Sequence, residues 1–193
     1  MAWYCMSMSP DPLILVVVPA HDRRELTRAC LHALRRQAYS RMTVIVVDDG
    51  STDGTWEMLS TEFPEVVRLR GGGDLWWTGA TNLGCAWALA KTTEADAAVV
   101  TLNDDTVPPP EWLARLVNTA RGHPRALVGS LVTDSQGLTT LHAGQSVDWW
   151  TAKYRAPWRG LPRRRCALAP ATASPPTSSV EPVPSSRCGR CGR

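Results

Sequence analysis

The stretch Val44–Thr55, VIVVDDGSTDGT, decides the fold: four apolar β-formers run straight into two aspartates, a glycine and a Ser/Thr/Asp cluster. A continuous apolar run bounded by turn residues is the pattern of a buried strand, and the polar cluster after it reads as a strand-to-helix turn. Adjacent carboxylates at the end of a buried strand lose solvation unless something polar or cationic meets them, so the position expects a ligand. A second run of the same kind, AAVVTLNDDT at Ala97–Thr106, also ends in an aspartate pair. Two acidic strand ends in one chain point to a polar-ligand site.

Upstream, Leu13–Val18 is a continuous apolar run closed by Pro19, as in a central parallel strand. HDRREL follows, where Asp22 and Glu25 have capping-box spacing, and Leu26, Ala29, Cys30, Ala33 and Leu34 share one helical face. Thr43–Val47 is the second strand, Asp53 is placed to cap a helix bearing Trp56, Met58 and Leu59, and Val66–Leu69 is a third strand. Gly71, Gly72 and Gly73 read as a flexible turn, after which Ala80, Leu83, Trp87 and Ala90 keep helical spacing. Ala97–Leu102 is the fourth strand. Pro108–Pro110 open a further helix with Leu113, Leu116, Val117 and Ala120 inward, and Ala126–Val132 reads as a fifth strand. The alternation predicts an α/β fold: a Rossmann-like, open, mostly parallel sheet with helices on both faces. Ligands of such sheets sit beyond the carboxyl ends of the strands, where both aspartate pairs fall.

Composition narrows the function classes. With 193 residues the chain can bury one sizeable core. No apolar run approaches the ~18 residues of a membrane span, so no transmembrane segment is expected. Residues 1–12 have neither the basic nor the apolar region of a secretory signal and read as a flexible N-terminus. The six cysteines are scattered and form no metal-ligand framework, which fits a reduced, cytoplasmic setting. The net charge of +3 is uneven: residues 161–193 carry +5, leaving residues 1–160 at −2. Nothing in the acidic part favours nucleic acid. After Gly160 the chain turns to Pro, Ser, Ala, Arg and Cys with no aromatic residue and no periodicity, and cannot offset its ordering entropy. Residues 161–193 read as a disordered basic tail or as an out-of-frame stretch, with composition favouring the second.

The two acid pairs suit different chemistry. Carboxylates repel a diphosphate unless they hold a divalent cation between them and it, and Mn²⁺ or Mg²⁺ takes one or two carboxylates plus phosphate oxygens and water. Asp104-Asp105, with Asn103 beside it, has that size, although an Asn/Asp-rich turn before prolines has the same residues. At Asp48-Asp49, a carboxylate fixed at the sheet edge can accept from a base N–H or a ribose hydroxyl, while Gly50 lets the backbone approach closely. Helix capping explains one acid there, and Asp53 does that job. Trp76 and Trp77 could stack on a ring, but packing beneath the following helix is the more ordinary use. His21 could touch a phosphate or simply face solvent.

Four motifs in order then resemble glycosyltransferase family 2, of the GT-A fold: VVVPAHDR, VVDDGSTDGT, GDLWWTGATNLG and LNDDT, spanning Leu13–Thr106, with weaker similarity to about Gly160. The LWWTGATNLG segment is most similar to the rhamnosyltransferase-like branch. The resemblance implies metal-assisted transfer of a sugar, with inversion, from a nucleotide-diphosphate sugar to a hydroxyl of a glycan or lipid-linked acceptor. It implies that Pro19 and Ala20 line the nucleotide pocket, Asp49 meets the base, Gly79 and Asn82 lie beside the nucleotide, Asp104 approaches the ribose or sugar, and Asp105 is the metal ligand. Position 81 is Thr where many relatives carry Arg. It also implies a cytoplasmic protein, with peripheral attachment at the inner membrane face as an extension, working in polysaccharide assembly.

The family's catalytic base lies in the second half of its domain, where this chain loses the resemblance after about residue 160; Leu161-Pro162-Arg163 is the last trace. Residues 13–160 are accordingly read as a nucleotide-sugar-binding domain with an incomplete acceptor half, truncated or frame-shifted. Asp134, His142 and Asp148 are acid–base residues outside any matching motif, and no base is assigned. The alternative function is a nucleotide-sugar-binding fragment or pseudoenzyme without transfer. A dinucleotide-binding protein is disfavoured because Gly71-Gly72-Gly73 does not form G-x-G-x-x-G after the first strand.

Overall fold

The computed structural model describes residues 11–123, 126–143, 146–148, 150–151, 153–155 and 159–160. The expectations for the N-terminal ten residues, for Trp149 and for the 161–193 tail lie outside them. The chain forms two compact units, Met1–Val128 and Gly129–Arg193. The division falls inside the 13–160 stretch read as one domain.

The first unit is β1 (Ile14–Ala20), α1 (Arg24–Arg35), β2 (Met42–Asp48), α2 (Thr55–Glu62), β3 (Val67–Arg70), α3 (Trp76–Lys91), β4 (Ala98–Thr101) and α4 (Trp112–Gly122). Its sheet has the order β3-β2-β1-β4, with every pairing parallel. Strands β1 and β2 carry the continuous Val/Ile runs because they are covered on both faces. Val16, Val18 and Val46 pack with α1, α2 and α4 residues such as Leu31, Leu59 and Leu113. Leu15, Val17, Ile45 and Val47 pack on the other face with Ala80 and Ala88 of α3. The expected parallel sheet with helices on both faces is therefore present. No helix among the described residues is long and apolar enough to cross a membrane.

Several local expectations are corrected. Helix α1 buries Thr27, Cys30, Leu31, Ala33 and Leu34, while Leu26 and Ala29 face solvent. Helix α3 buries Ala80, Thr81, Gly84 and Ala88, not the stripe through Leu83 and Ala90. The reason is distance: a Cβ on Gly84 would lie 2.4 Å from Val17 Cγ1 and 3.1 Å from Val47 Cγ2, so small residues let the helix axis approach the sheet. Ala126–Val132 forms no fifth parallel strand. Leu127 and Leu131 are exposed, and strand structure resumes only with β5 (Val132–Thr133), antiparallel to β6 (Thr140–His142). The second unit adds the antiparallel pair β7 (Ser146–Asp148) and β8 (Lys153–Arg155).

Candidate functional site

Sheet topology fixes where a ligand can enter. The chain steps from β1 to β2 to β3, then crosses back to place β4 on the other side of β1, so the direction reverses between β1 and β4. Crevices at such switch points are where open α/β sheets bind ligands. Pro19 marks the spot. The Val17 carbonyl accepts the Leu102 N–H at 2.9 Å, and bonding direction alternates along a strand, so Pro19 also faces the β4 side. A residue without N–H there costs no ladder bond because β4 has ended, and β1 and β4 part at this point. Pro19 and Ala20 are both buried, and the Ala20 carbonyl accepts the Asp49 N–H at 2.9 Å. They form the floor between the two acidic strand ends.

On the β4 side, Asp104 is buried and Asp105 has a half-exposed side chain. Arg23, which precedes α1, bridges them: its guanidinium lies 3.4 Å from Asp104 Oδ1 and 3.3 Å from Asp105 Oδ2. The Thr27 hydroxyl donates to Asp104 Oδ2 at 3.4 Å. Burial pushes the Asp104 carboxyl above its ordinary range, with Arg23 opposing and Asp105 adding to the rise. The loop is pinned from below by the Cys30 thiol against the Asn103 carbonyl at 3.8 Å. Burial, with the two acids nearby, raises that thiol to about 12, so Cys30 stays protonated and inert. From the α3 side the Trp77 indole N–H donates to Asn103 Oδ1 at 2.9 Å.

On the β2 side Asp48 ends the strand and Asp49 begins the loop after it. Asp48 is fully buried; its Oδ1 accepts the Ser51 N–H at 3.1 Å and its Oδ2 has no hydrogen-bond partner. Asp49 is also buried, and its carboxylate takes the Gly73 N–H on Oδ1 and the Trp76 N–H on Oδ2, each at 2.9 Å. The glycine turn expected to be flexible is thus wrapped around a carboxylate. A Cβ at Gly71 would meet Asp49 Oδ1 at 2.4 Å, and Gly50, at φ +67°, would meet the Gly73 backbone at 2.8 Å. Trp76 opens α3 with φ 54°, a left-handed conformation that costs a non-glycine residue ~1–2 kcal/mol, and Asp49 holds it there. Trp76 is 81% exposed and Trp77 55%, so the packing role expected for the pair is overturned. Gly79 sits in the first turn of α3 and Asn82 is exposed on the same helix.

The loops after β1 and β2 are laced together. Asp22 does not form the expected capping box; its N–H donates to Ser51 Oγ at 2.9 Å and its Oδ1 accepts the Thr52 N–H at 2.6 Å. Asp53 caps both helices, accepting the Arg24 N–H of α1 on Oδ2 at 2.8 Å and the Thr55 N–H of α2 on Oδ1 at 3.0 Å. His21 donates from Nδ1 to the Asp49 carbonyl at 2.6 Å, since a carbonyl can only accept, leaving Nε2 3.6 Å from Asp22 Oδ2.

In the second unit, Asp134 builds the turn between β5 and β6. Its carboxylate accepts the Leu138 and Thr139 N–H groups at 2.9 and 3.2 Å, and the Leu138 bond leads in lowering its pKa. His142 is exposed on β6. Asp148 lies in β7, whose side chains are outside the description.

Sequence reading missed Arg23, the group that meets both acids. Its signal was present: a basic residue just past the β1 end, facing an acid pair on the neighbouring β4 end. No cluster of three or more His, Cys, Asp or Glu among the described residues could hold a metal ion. The protein therefore offers a two-carboxylate site. A pair of carboxylates is chemically able to meet a hard divalent cation, and the Arg23 guanidinium lies between the two.

A family model matches most of the chain. Residues 15–170 match Glycosyl transferase family 2, and the chain belongs to that family. Glycosyltransferase AglE of Haloferax volcanii is 32% identical over 126 residues, covering 63% of this chain and 40% of AglE. Glycosyltransferase GlyA of Streptococcus pneumoniae is 37% identical over 59 residues, covering 31% of this chain and 8% of GlyA. Among solved structures, the Pyrobaculum calidifontis mannosyltransferase PcManGT, in complex with GDP-Man and Mn²⁺, aligns with TM-score 0.48 and 26% identity, over 58% of this chain and 34% of PcManGT. TarS 1-349 of S. aureus aligns with TM-score 0.49 and 17% identity, over 70% of this chain and 41% of TarS 1-349. The chain spans about two fifths of the length of AglE.

Proposed function

We propose that the crevice between β1 and β4 binds a nucleotide-diphosphate sugar and that the chain carries the donor half of a metal-assisted, inverting glycosyltransferase. The observation behind this is the pair Asp104–Asp105 at the switch point, one carboxylate buried and one half-exposed, already gathered around a cationic group. Asp105, the more open of the two, is the metal ligand in this reading, and Asp104, held by Thr27, faces the ribose or sugar. Pro19 and Ala20 line the nucleotide side. Asp49, whose oxygens each keep a free lone pair beside their backbone bonds, accepts from the base, with Gly79 and Asn82 along the helix that borders it. A bound Mn²⁺ or Mg²⁺ supplies charge neutralisation of the diphosphate.

In the transfer, the acceptor hydroxyl oxygen bonds to the anomeric carbon as the bond from that carbon to the phosphate oxygen breaks. The nucleoside diphosphate leaves, and the hydroxyl proton passes to a base. This chain's described residues orient the donor; the base is unassigned, and Asp134 is unsuited because its carboxylate is committed to a turn and kept acidic. A glycan or lipid-linked acceptor and a cytoplasmic setting, with attachment at the inner membrane face, complete the proposal.

Asp105→Asn tests it. Isothermal titration with UDP, GDP or dTDP should show metal-dependent binding in the parent chain and none in the variant, with circular dichroism unchanged because Asp105 lies at a strand end outside the core. Equal affinity with and without metal in the parent would remove the metal from the reading.

A further inference from the structure

Arg23 joins both acids of the pair to the β1 side of the crevice. Its guanidinium donates to Asp104 at 3.4 Å and Asp105 at 3.3 Å, yet half its side chain faces solvent and its backbone carbonyl starts α1 by accepting the Thr27 N–H at 2.9 Å. The backbone is anchored: Asp22 and Arg24 on either side bond to Ser51, Thr52 and Asp53. The half-exposed Arg23 side chain can then change partners on a fixed backbone. A divalent cation held by the same two carboxylates would share their charge with this guanidinium and be repelled by it, so the two cations compete for the pair. A diphosphate brought to the same rim is a guanidinium's preferred alternative partner, because its oxygens match the planar donor fork.

We propose that Arg23 is a tethered counter-ion that holds the Asp104–Asp105 site against metal alone and transfers to the phosphates when metal and diphosphate arrive together. This rests on the metal reading of Asp105 given above. Removing the guanidinium should therefore improve binding of the metal by itself and weaken the mutual support of metal and diphosphate, a coupling that must be reciprocal. A purely structural Arg23 would shift neither quantity in that opposed manner.

The test is a Mn²⁺ titration of the full chain by electron paramagnetic resonance, comparing the parent, Arg23→Gln and Arg28→Gln. The last removes the same charge from α1, but from a residue that pairs with Glu62 and Glu25 instead. Arg23→Gln should bind Mn²⁺ about three- to tenfold more tightly than the parent, the scale of two half-exposed ion pairs, with Arg28→Gln unchanged. Titrating inorganic pyrophosphate into the Mn²⁺-saturated proteins should show weaker binding in Arg23→Gln than in the parent. Equal or weaker Mn²⁺ binding by Arg23→Gln overturns the counter-ion role while leaving the metal site intact. Absence of Mn²⁺ binding in every protein, with and without pyrophosphate, overturns both together.

Discussion

At the scale of single residues, Asp49 shows how one carboxylate serves fold and site at once. It satisfies the backbone N–H groups of Gly73 and Trp76 and so shapes the entry into α3. Asp49→Ala should lower unfolding free energy by about 1–3 kcal/mol, the cost of stranding partly buried donors, measurable by urea denaturation. If the carboxylate also meets the base, the folded variant should lose affinity for a nucleoside diphosphate while keeping it for pyrophosphate with Mn²⁺. Equal losses for both ligands would place Asp49 at the phosphates. The aspartate pair was legible in the sequence because two acids after a buried strand exceed what capping needs. Its partners were not, since Gly73 and Trp76 are 24 and 27 positions away and contribute only backbone. Arg23 stayed hidden for the related reason that its acids lie 81 and 82 positions on.

At the scale of elements, Asp53 and Gly84 set how helices meet the sheet. Asp53 was read as a cap for one helix and caps two, because the loop after β2 lies against the start of α1. Asp53→Ala should cost about 1–2 kcal/mol in urea denaturation, at the upper end for a single cap. Burial alone would raise the Asp53 pKa, but the Thr55 hydroxyl and the backbone N–H groups outweigh it and hold the carboxyl below its usual range. Its contribution is therefore complete above the unfolded value of about 3.9 and is lost as pH falls through the lower folded value. Stability measured from pH 6 to pH 2 should fall less steeply in Asp53→Asn than in the parent. Gly84→Ala should destabilise by about 1–2 kcal/mol, since crowding Val17 and Val47 outweighs the better helix propensity of alanine. An unchanged or higher denaturation midpoint would show that α3 can retreat from the sheet. Strand positions were legible because Val/Ile runs mark two-sided burial. The buried face of α3 was not, because the large Leu and Trp residues drew attention from the small stripe Ala80, Gly84 and Ala88 that makes the contact.

At the scale of the whole molecule, the parallel core followed from the regular alternation of apolar runs and helical spacing. The Ala126–Val132 strand did not form: the segment is interrupted by Gly129, pairs with no strand of the parallel sheet and leaves Leu127 and Leu131 exposed. Composition carries the prediction for residues 161–193: a chain ending at Gly160 should match the full chain in circular dichroism and in Mn²⁺-dependent nucleotide affinity. A loss of either in the shorter chain would assign the tail a part in the fold. The central claim, that metal and nucleotide meet at the β1–β4 crevice, is tested most directly through Trp77, whose indole N–H is tied to Asn103 beside the acid pair. With nucleoside diphosphate present, Mn²⁺ should broaden the Trp77 indole resonance beyond detection, Mg²⁺ should leave it sharp, and Asp105→Asn should abolish the broadening. A Trp77 signal that stays sharp while Mn²⁺ and nucleotide are bound would contradict the account.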